Sequence, residues 1–207
     1  MNKEKLKKRI AASAKRIPAD LVIKGGRIID VFNLRIIEAD VAICDGMIVG
    51  IGEYSGKEEM DATGQYIAPA FIDAHVHIES SMASPREFAK IVLPHGVTTV
   101  ITDPHEIANV SGTEGISFML ENSEGLDLDV FVMLPSSVPA TSFENAGAVL
   151  NDVDLRPFYS HPRVLGLAEV MDFPAVRDRD EDMIAKIFTS LEQGKQIDGH
   201  CAGLDDD

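Results

Sequence analysis

Residues 71–78 read Phe71-Ile72-Asp73-Ala74-His75-Val76-His77-Ile78. On a β-strand successive side chains point to opposite faces, so His75 and His77 share one face with Phe71 and Asp73. Ile72, Ala74, Val76 and Ile78 take the other. An apolar second face predicts a strand covered by helices, as in an α/β protein. Two imidazoles on one face, at the end of a strand, can grip one metal ion, although a His-x-His pair by itself is common. Its surroundings give it weight. Gly64 and Pro69 mark a boundary before the strand, and the polar turn Glu79-Ser80-Ser81 follows it. Active sites of parallel α/β barrels form at that C-terminal end.

Downstream of Pro69 the pattern alternates between strand and helix. The strands fall at roughly 70–77, 97–102, 128–134, 163–169 and 196–200, and the helices at roughly 84–94, 112–122, 142–150 and 179–193. Ser84, with Pro85 at the first helical position and Glu87 three residues on, has the form of a capping box. Such alternation predicts a parallel sheet with right-handed crossovers. Upstream, residues 18–68 read as β-rich, with strands at Leu21–Lys24 and Arg27–Phe32 about a Gly25-Gly26 turn. Ala39–Ile43 and Met47–Ile51 flank Asp45-Gly46, a hairpin signal. Residues 1–17 form a basic helical lead-in stopped by Pro18, with Leu6, Ile10 and Ile17 on one side. The organisation expected is therefore a lead-in (1–17), a small β-rich domain (18–68) and an α/β section (69–207).

A length of 207 residues allows one or two domains and a sizeable core. The net charge of −15 argues against a nucleic-acid partner, and a metal or a small neutral or cationic substrate fits better. No apolar run reaches the roughly 18 residues that span a bilayer, and the basic N-terminus lacks a signal-peptide core. Cys44 and Cys201 lie far apart and make no CxxC pair, so a reduced, cytoplasmic protein is expected. Asp205-Asp206-Asp207 is a short acidic end.

The other chemical residues also fall at strand ends. Glu169 follows Val164-Leu165-Gly166-Leu167-Ala168, His200 closes Gln196-Ile197-Asp198-Gly199, and His105-Glu106 follow Asp103-Pro104. Neutral imidazoles and a carboxylate suit Zn2+, Mn2+ or Fe2+. Glu169 can bridge two metals; its bland alternative is a buried ion-pair partner of Arg163 or Arg177. His105 is either a site residue or a residue that caps a helix or orients a ligand. Asp73 is a candidate for orienting a ligand histidine, and Asp103 and Asp198 have similar standing. His95 and His161 read as structural. Pro135-Ser136-Ser137-Val138-Pro139-Ala140-Thr141 can offer hydroxyls to a substrate pocket or form an ordinary Pro-rich turn.

These motifs resemble the amidohydrolase superfamily, in particular its bacterial adenine deaminase branch. The resemblance rests on Ala68–Met82, Thr102–Val110, Pro135–Thr141, Gly166–Met171 and Ile197–His200, and runs from about 18 to 204. It departs at Ala70, where the family has Gly, at Ser137, often Cys in relatives, and at Cys201-Ala202-Gly203, where Ala-Pro-Gly is expected. The resemblance implies hydrolysis of adenine to hypoxanthine and ammonia at a divalent, binuclear Mn2+ or Fe2+ centre, with Zn2+ an alternative. His75 and His77 would bind one metal, Glu169 would bridge to a second, and His200 would help hold it. Glu169, His105 and Glu79 are the catalytic candidates, and Glu79, Ser80, Ser81 and Ser136 the substrate contacts. The family continues beyond the fifth strand, where a further His ligand and a proton-transferring Asp are expected. The fold implied is thus a partial TIM-like (β/α) barrel, about five of eight strands, behind the small β-rich domain. A homo-oligomer or a missing C-terminal portion would then complete it. Alternatives are another cyclic amidohydrolase of dihydroorotase type, an inactive metal-binding fragment, or half of a split enzyme.

Overall fold

The computed structural model describes residues 2–141 and 143–200. Cys201, the Cys201-Ala202-Gly203 departure and the acidic end at 205–207 lie outside the described residues. The chain forms two compact units, Met1–Pro69 and Ala70–Asp207.

In the first unit, helix α1 (Lys3–Ser13) starts at Asn2, whose side chain accepts the Lys5 N–H. Strands β1 (Ala19–Asp30), β2 (Arg35–Cys44), β3 (Met47–Gly52), β4 (Gly56–Asp61) and β5 (Tyr66–Ile67) make one sheet, ordered β3-β2-β1-β4 with β5 also on β1. The β2–β3 hairpin turns at Asp45-Gly46, whose φ angles of 50° and 72° are the doubly positive pair such a turn requires. The turn expected at Gly25-Gly26 is instead a register shift inside one long strand. Gly25 takes φ +66°, and its N–H is satisfied by the Asp40 carboxylate at 3.0 Å, so the ladder resumes past the irregularity. Strand β4 escaped the sequence reading because Lys57, Glu58 and Glu59 give it no apolar alternation; it is a charged strand at one end of the sheet.

The second unit is strand β6 (Phe71–Val76), helix α2 (Pro85–Val92), β7 (Val97–Thr102), α3 (His105–Ser111), α4 (Thr113–Asn122), β8 (Asp129–Pro135), α5 (Asp152–Leu155), β9 (Val164–Val170), α6 (Phe173–Arg177), α7 (Glu181–Glu192) and β10 (Gln196–Gly199). The strands pair in parallel in chain order, β10-β9-β8-β7-β6. Sequential parallel order is the winding of a barrel, not of a doubly wound sheet. Val132 and Leu134 of β8 and Val164 and Leu167 of β9 pack on Ile116 and Leu120 of α4. Ile78, Val100, Met119 and Val130 form a second apolar cluster with Phe88 of α2. This packing fixes the strands, so their C-terminal ends are presented together.

Two local expectations are corrected. Ser84 is the N-cap of α2 and Pro85 opens the helix, but the Ser84 side chain makes no capping hydrogen bond. The helix expected over 142–150 is a loop through 143–150, Ser142 lying outside the described residues. Its backbone bonds are made outward: Gly147 N–H donates to the Asn109 carbonyl at 2.7 Å and Leu150 N–H to that of Val138 at 3.0 Å. The helix begins later, at α5, where Asn151 and Asp154 make the reciprocal capping box. Helix α3 falls between the strand expected at 97–102 and the helix expected at 112–122, and Pro104 stands immediately before its first residue, His105. Among the described residues no helix is long and apolar enough to cross a membrane.

Candidate metal centre

The ends of β6, β7, β9 and β10 bring His75, His77, Asp103, His105, Glu169 and His200 together. His75 Nε2 lies 2.6 Å and His77 Nε2 2.9 Å from the same oxygen, Oε1 of Glu169. His200 Nε2 approaches the other carboxylate oxygen at 3.7 Å. The Glu169 side chain is 6% exposed, yet its Oε1 accepts no hydrogen bond. A buried carboxylate oxygen without a partner is unfavourable. Two imidazole nitrogens converge on it, an arrangement that suits a cation held among the three atoms. This donor set, nitrogen and oxygen without thiolate, fits a divalent ion of the Zn2+, Mn2+ or Fe2+ type. The residues present therefore suit the metal that the motif implies.

Outer hydrogen bonds prepare these groups. His77 Nδ1 is 3.0 Å from the Asp103 carbonyl oxygen, and His105 Nδ1 is 3.1 Å from Asp103 Oδ2. The bond to Asp103 pulls the His105 imidazole above its usual pKa, against the opposing effect of burial. His77, Asp103 and His105 also form a second group of ligand-type atoms, all within 4.8 Å of one another.

Beside them, Glu79, Ser80 and Ser81 make a 3-10 turn docked on α3. Glu79 Oε1 accepts the Ile107 N–H at 3.3 Å, and its Oε2 is buried without a partner. Burial pushes the Glu79 carboxyl above its ordinary pKa; the N–H bonds oppose this, and the neighbouring Glu106 and Asp103 reinforce it. Ser80 Oγ donates to Glu106 Oε1 at 2.5 Å, and Ser81 Oγ to the Ile78 carbonyl at 2.6 Å. Ser136 is 1% exposed, and its hydroxyl donates to the Glu169 carbonyl at 2.7 Å.

The ion-pair alternative for Glu169 does not form. Arg163 donates to the Val130 carbonyl and Arg177 pairs with Asp178. Asp73 does not orient an imidazole; its Oδ1 accepts the main-chain N–H of His75 at 3.2 Å. Sequence reasoning passed over Lys186 altogether. This α7 lysine, buried, donates to the carbonyls of Ser136 and Leu150 at 2.9 and 2.7 Å and pairs with Asp182 at 2.8 Å. A lone Lys amid Ile184, Ile187 and Leu191 was the available signal.

Residues 66–207 match the amidohydrolase family. Over all 207 residues the chain is 62% identical to an adenine deaminase of Bacillus velezensis and 60% identical to that of Bacillus subtilis, covering 36% of each. The chain thus spans about a third of the length of these relatives. Among solved structures, D-hydantoinase (dihydropyrimidinase) from Thermus sp. superposes with a TM-score of 0.61 at 22% identity, over 87% of this chain and 40% of that one. N-acyl-D-glutamate deacylase from Bordetella bronchiseptica, complexed with zinc and a phosphonate inhibitor, gives 0.60 at 16% identity, over 89% and 45%. At these identities the likeness establishes the fold: the five-stranded parallel sheet is part of a TIM-like barrel.

Proposed function

We propose that this chain, which belongs to the amidohydrolase family, carries the metal-binding part of a hydrolase that converts adenine to hypoxanthine and ammonia. The observation that carries the reading is the convergence of His75 Nε2 and His77 Nε2 on the unpartnered Oε1 of Glu169. His75, His77, Glu169 and His200 would hold the metal, which we take to be a pair of Mn2+ or Fe2+ ions. A divalent ion so held lowers the pKa of bound water toward about 7 and supplies a nucleophile at neutral pH.

The reaction forms a C–O bond at purine C6 and breaks the C6–N bond; the amine gains a proton and leaves as ammonia. This chain's residues serve the proton and the substrate. Glu79, its carboxyl shifted toward the protonated form and its Oε2 without a partner, is suited to give a proton to the departing amine. His105, held by Asp103, is the second proton-carrying group. Ser80 and Ser81, on the same turn as Glu79, are the candidate substrate contacts. A purine substrate, a cytoplasmic setting and association of copies complete the proposal.

The test is the protein purified at its native length and loaded with Mn2+ or Fe2+. Adenine should be converted to hypoxanthine, followed in the ultraviolet, with one ammonia released per turnover. Opening of dihydroorotate without attack on adenine would reassign the chain to a cyclic-amide hydrolase. Bound metal with neither activity would make it a non-catalytic metal protein.

A further inference from the structure

Glu169 is the one residue of the metal centre with a left-handed backbone, φ +41°. An L-residue disfavours that region, and such strain persists only where the surroundings hold it. Two side chains do so. The Glu169 N–H donates to Asp198 Oδ1 at 2.7 Å, and the Glu169 carbonyl accepts from Ser136 Oγ at 2.7 Å. The strand ladder explains why side chains are needed. Between β9 and β10 the register shifts between Ile197 and Gly199, so Asp198 replaces a backbone partner with its carboxylate. Gly199 permits this close approach, because a Cβ there would meet the Val170 carbonyl.

We propose that Ser136 and Asp198 are positioning residues that lock the Glu169 peptide in the left-handed conformation and so aim its carboxylate at His75 and His77. Lys186 is the anchor of the clamp. All three of its protons are used, and one holds the Ser136 carbonyl. Relaxation of φ toward the extended region swings the Cα–Cβ bond of Glu169 and withdraws Oε1 from the two imidazoles. The Ser136 bond is buried and the Asp198 bond half-buried. Ser136 is 1% exposed, and the Glu169 N–H donates to a charged acceptor, the Asp198 carboxylate, which strengthens that bond. The inference rests on the metal centre described under the proposed function.

The experiment compares Ser136→Ala, Asp198→Ala, Asp198→Asn and Glu169→Gln in the protein at its native length. Mn2+ affinity is measured by competition with a chelator, alongside circular dichroism. Ser136→Ala and Asp198→Ala should each weaken Mn2+ binding by about 10–100-fold, as loss of an outer partner does, with the fold retained. Asp198→Asn keeps an acceptor oxygen and should recover most of the affinity. In the metal-free protein, hydrogen exchange at the Glu169 amide should accelerate in Asp198→Ala and not in Asp198→Asn. If Glu169→Gln weakens Mn2+ binding while Ser136→Ala and Asp198→Ala leave it unchanged, the clamp is refuted and the metal centre stands. If Glu169→Gln itself leaves Mn2+ binding unchanged, both fall.

Discussion

His77 presents its Nδ1 to the main-chain carbonyl of Asp103 at 3.0 Å. A carbonyl can only accept, so Nδ1 carries the proton and the Nε2 lone pair is left facing Glu169. The end of one strand thereby sets the tautomer of an imidazole on its neighbour, and no side chain is spent on the task.

Replacing His75 or His77 with Ala should lower the metal content of the protein. His77, with its side chain 21% exposed against 50% for His75, is the more tightly held of the two and should show the larger loss. Either change should exceed the roughly 10–100-fold loss of affinity that follows removal of an outer hydrogen-bond partner. Elemental analysis after dialysis against dilute Mn2+ reads this directly. Unaltered stoichiometry in both variants would remove the two histidines from the centre.

Glu79→Gln should spare metal binding and impair turnover. The carboxyl lies off the His75–Glu169 convergence, and its raised pKa favours the proton-bearing form. Loss of a positioned acid should slow adenine hydrolysis by about 10²–10⁴-fold. In the unaltered protein, activity that needs the protonated acid falls as pH rises through that raised value. The variant should lose this limb of the profile. A variant with full activity would exclude Glu79 from the proton path.

What was legible in the sequence and what was not divide along physical lines. Val97–Thr102 is a wholly β-branched run and Val164–Val170 a largely apolar one, and their helices carry an apolar face, so local pattern found them. The convergence of His75, His77 and Glu169 followed from placing each at a strand end. Asp198 and Ser136 are singled out in the sequence, but their partners are not, and Lys186 is passed over. Lys186 reaches Ser136 across 50 residues, and Asp198 meets Glu169 across 29, pairings that only the packed sheet creates. Strand β4 and the 143–150 loop were missed where backbone partners, not side-chain pattern, decide the conformation.

Gly166→Ala tests how strand packing delivers the site. A Cβ at this position would run into the main-chain oxygen of Gln196, so β10 must move away from β9. Overpacking of this kind destabilises by about 1–3 kcal/mol, which denaturant titration measures. Because β10 carries Asp198 and leads into His200, Mn2+ affinity should fall together with stability. A variant that loses stability but binds Mn2+ as before would show that the position of β10 does not govern the centre.

The first unit offers a separate test through acid. Burial alone would raise the Asp40 carboxyl, but Lys24 Nζ at 2.7 Å and the N–H groups of Gly25 at 3.0 Å and Tyr54 at 3.3 Å hold it below its usual range. Its folded pKa is therefore lower than the value of about 3.9 in the unfolded chain. A group depressed in this way contributes stability above the unfolded pKa and loses it as pH falls through the folded one. Asp40→Asn should destabilise the protein at pH 7, and the difference from the unaltered chain should shrink below about pH 4. Denaturant midpoints for the β-rich unit, followed by amide exchange at Val22 and Ala42 from neutral to acid pH, give the readout. A difference that stays constant across that range would mean that Asp40 contributes through packing alone.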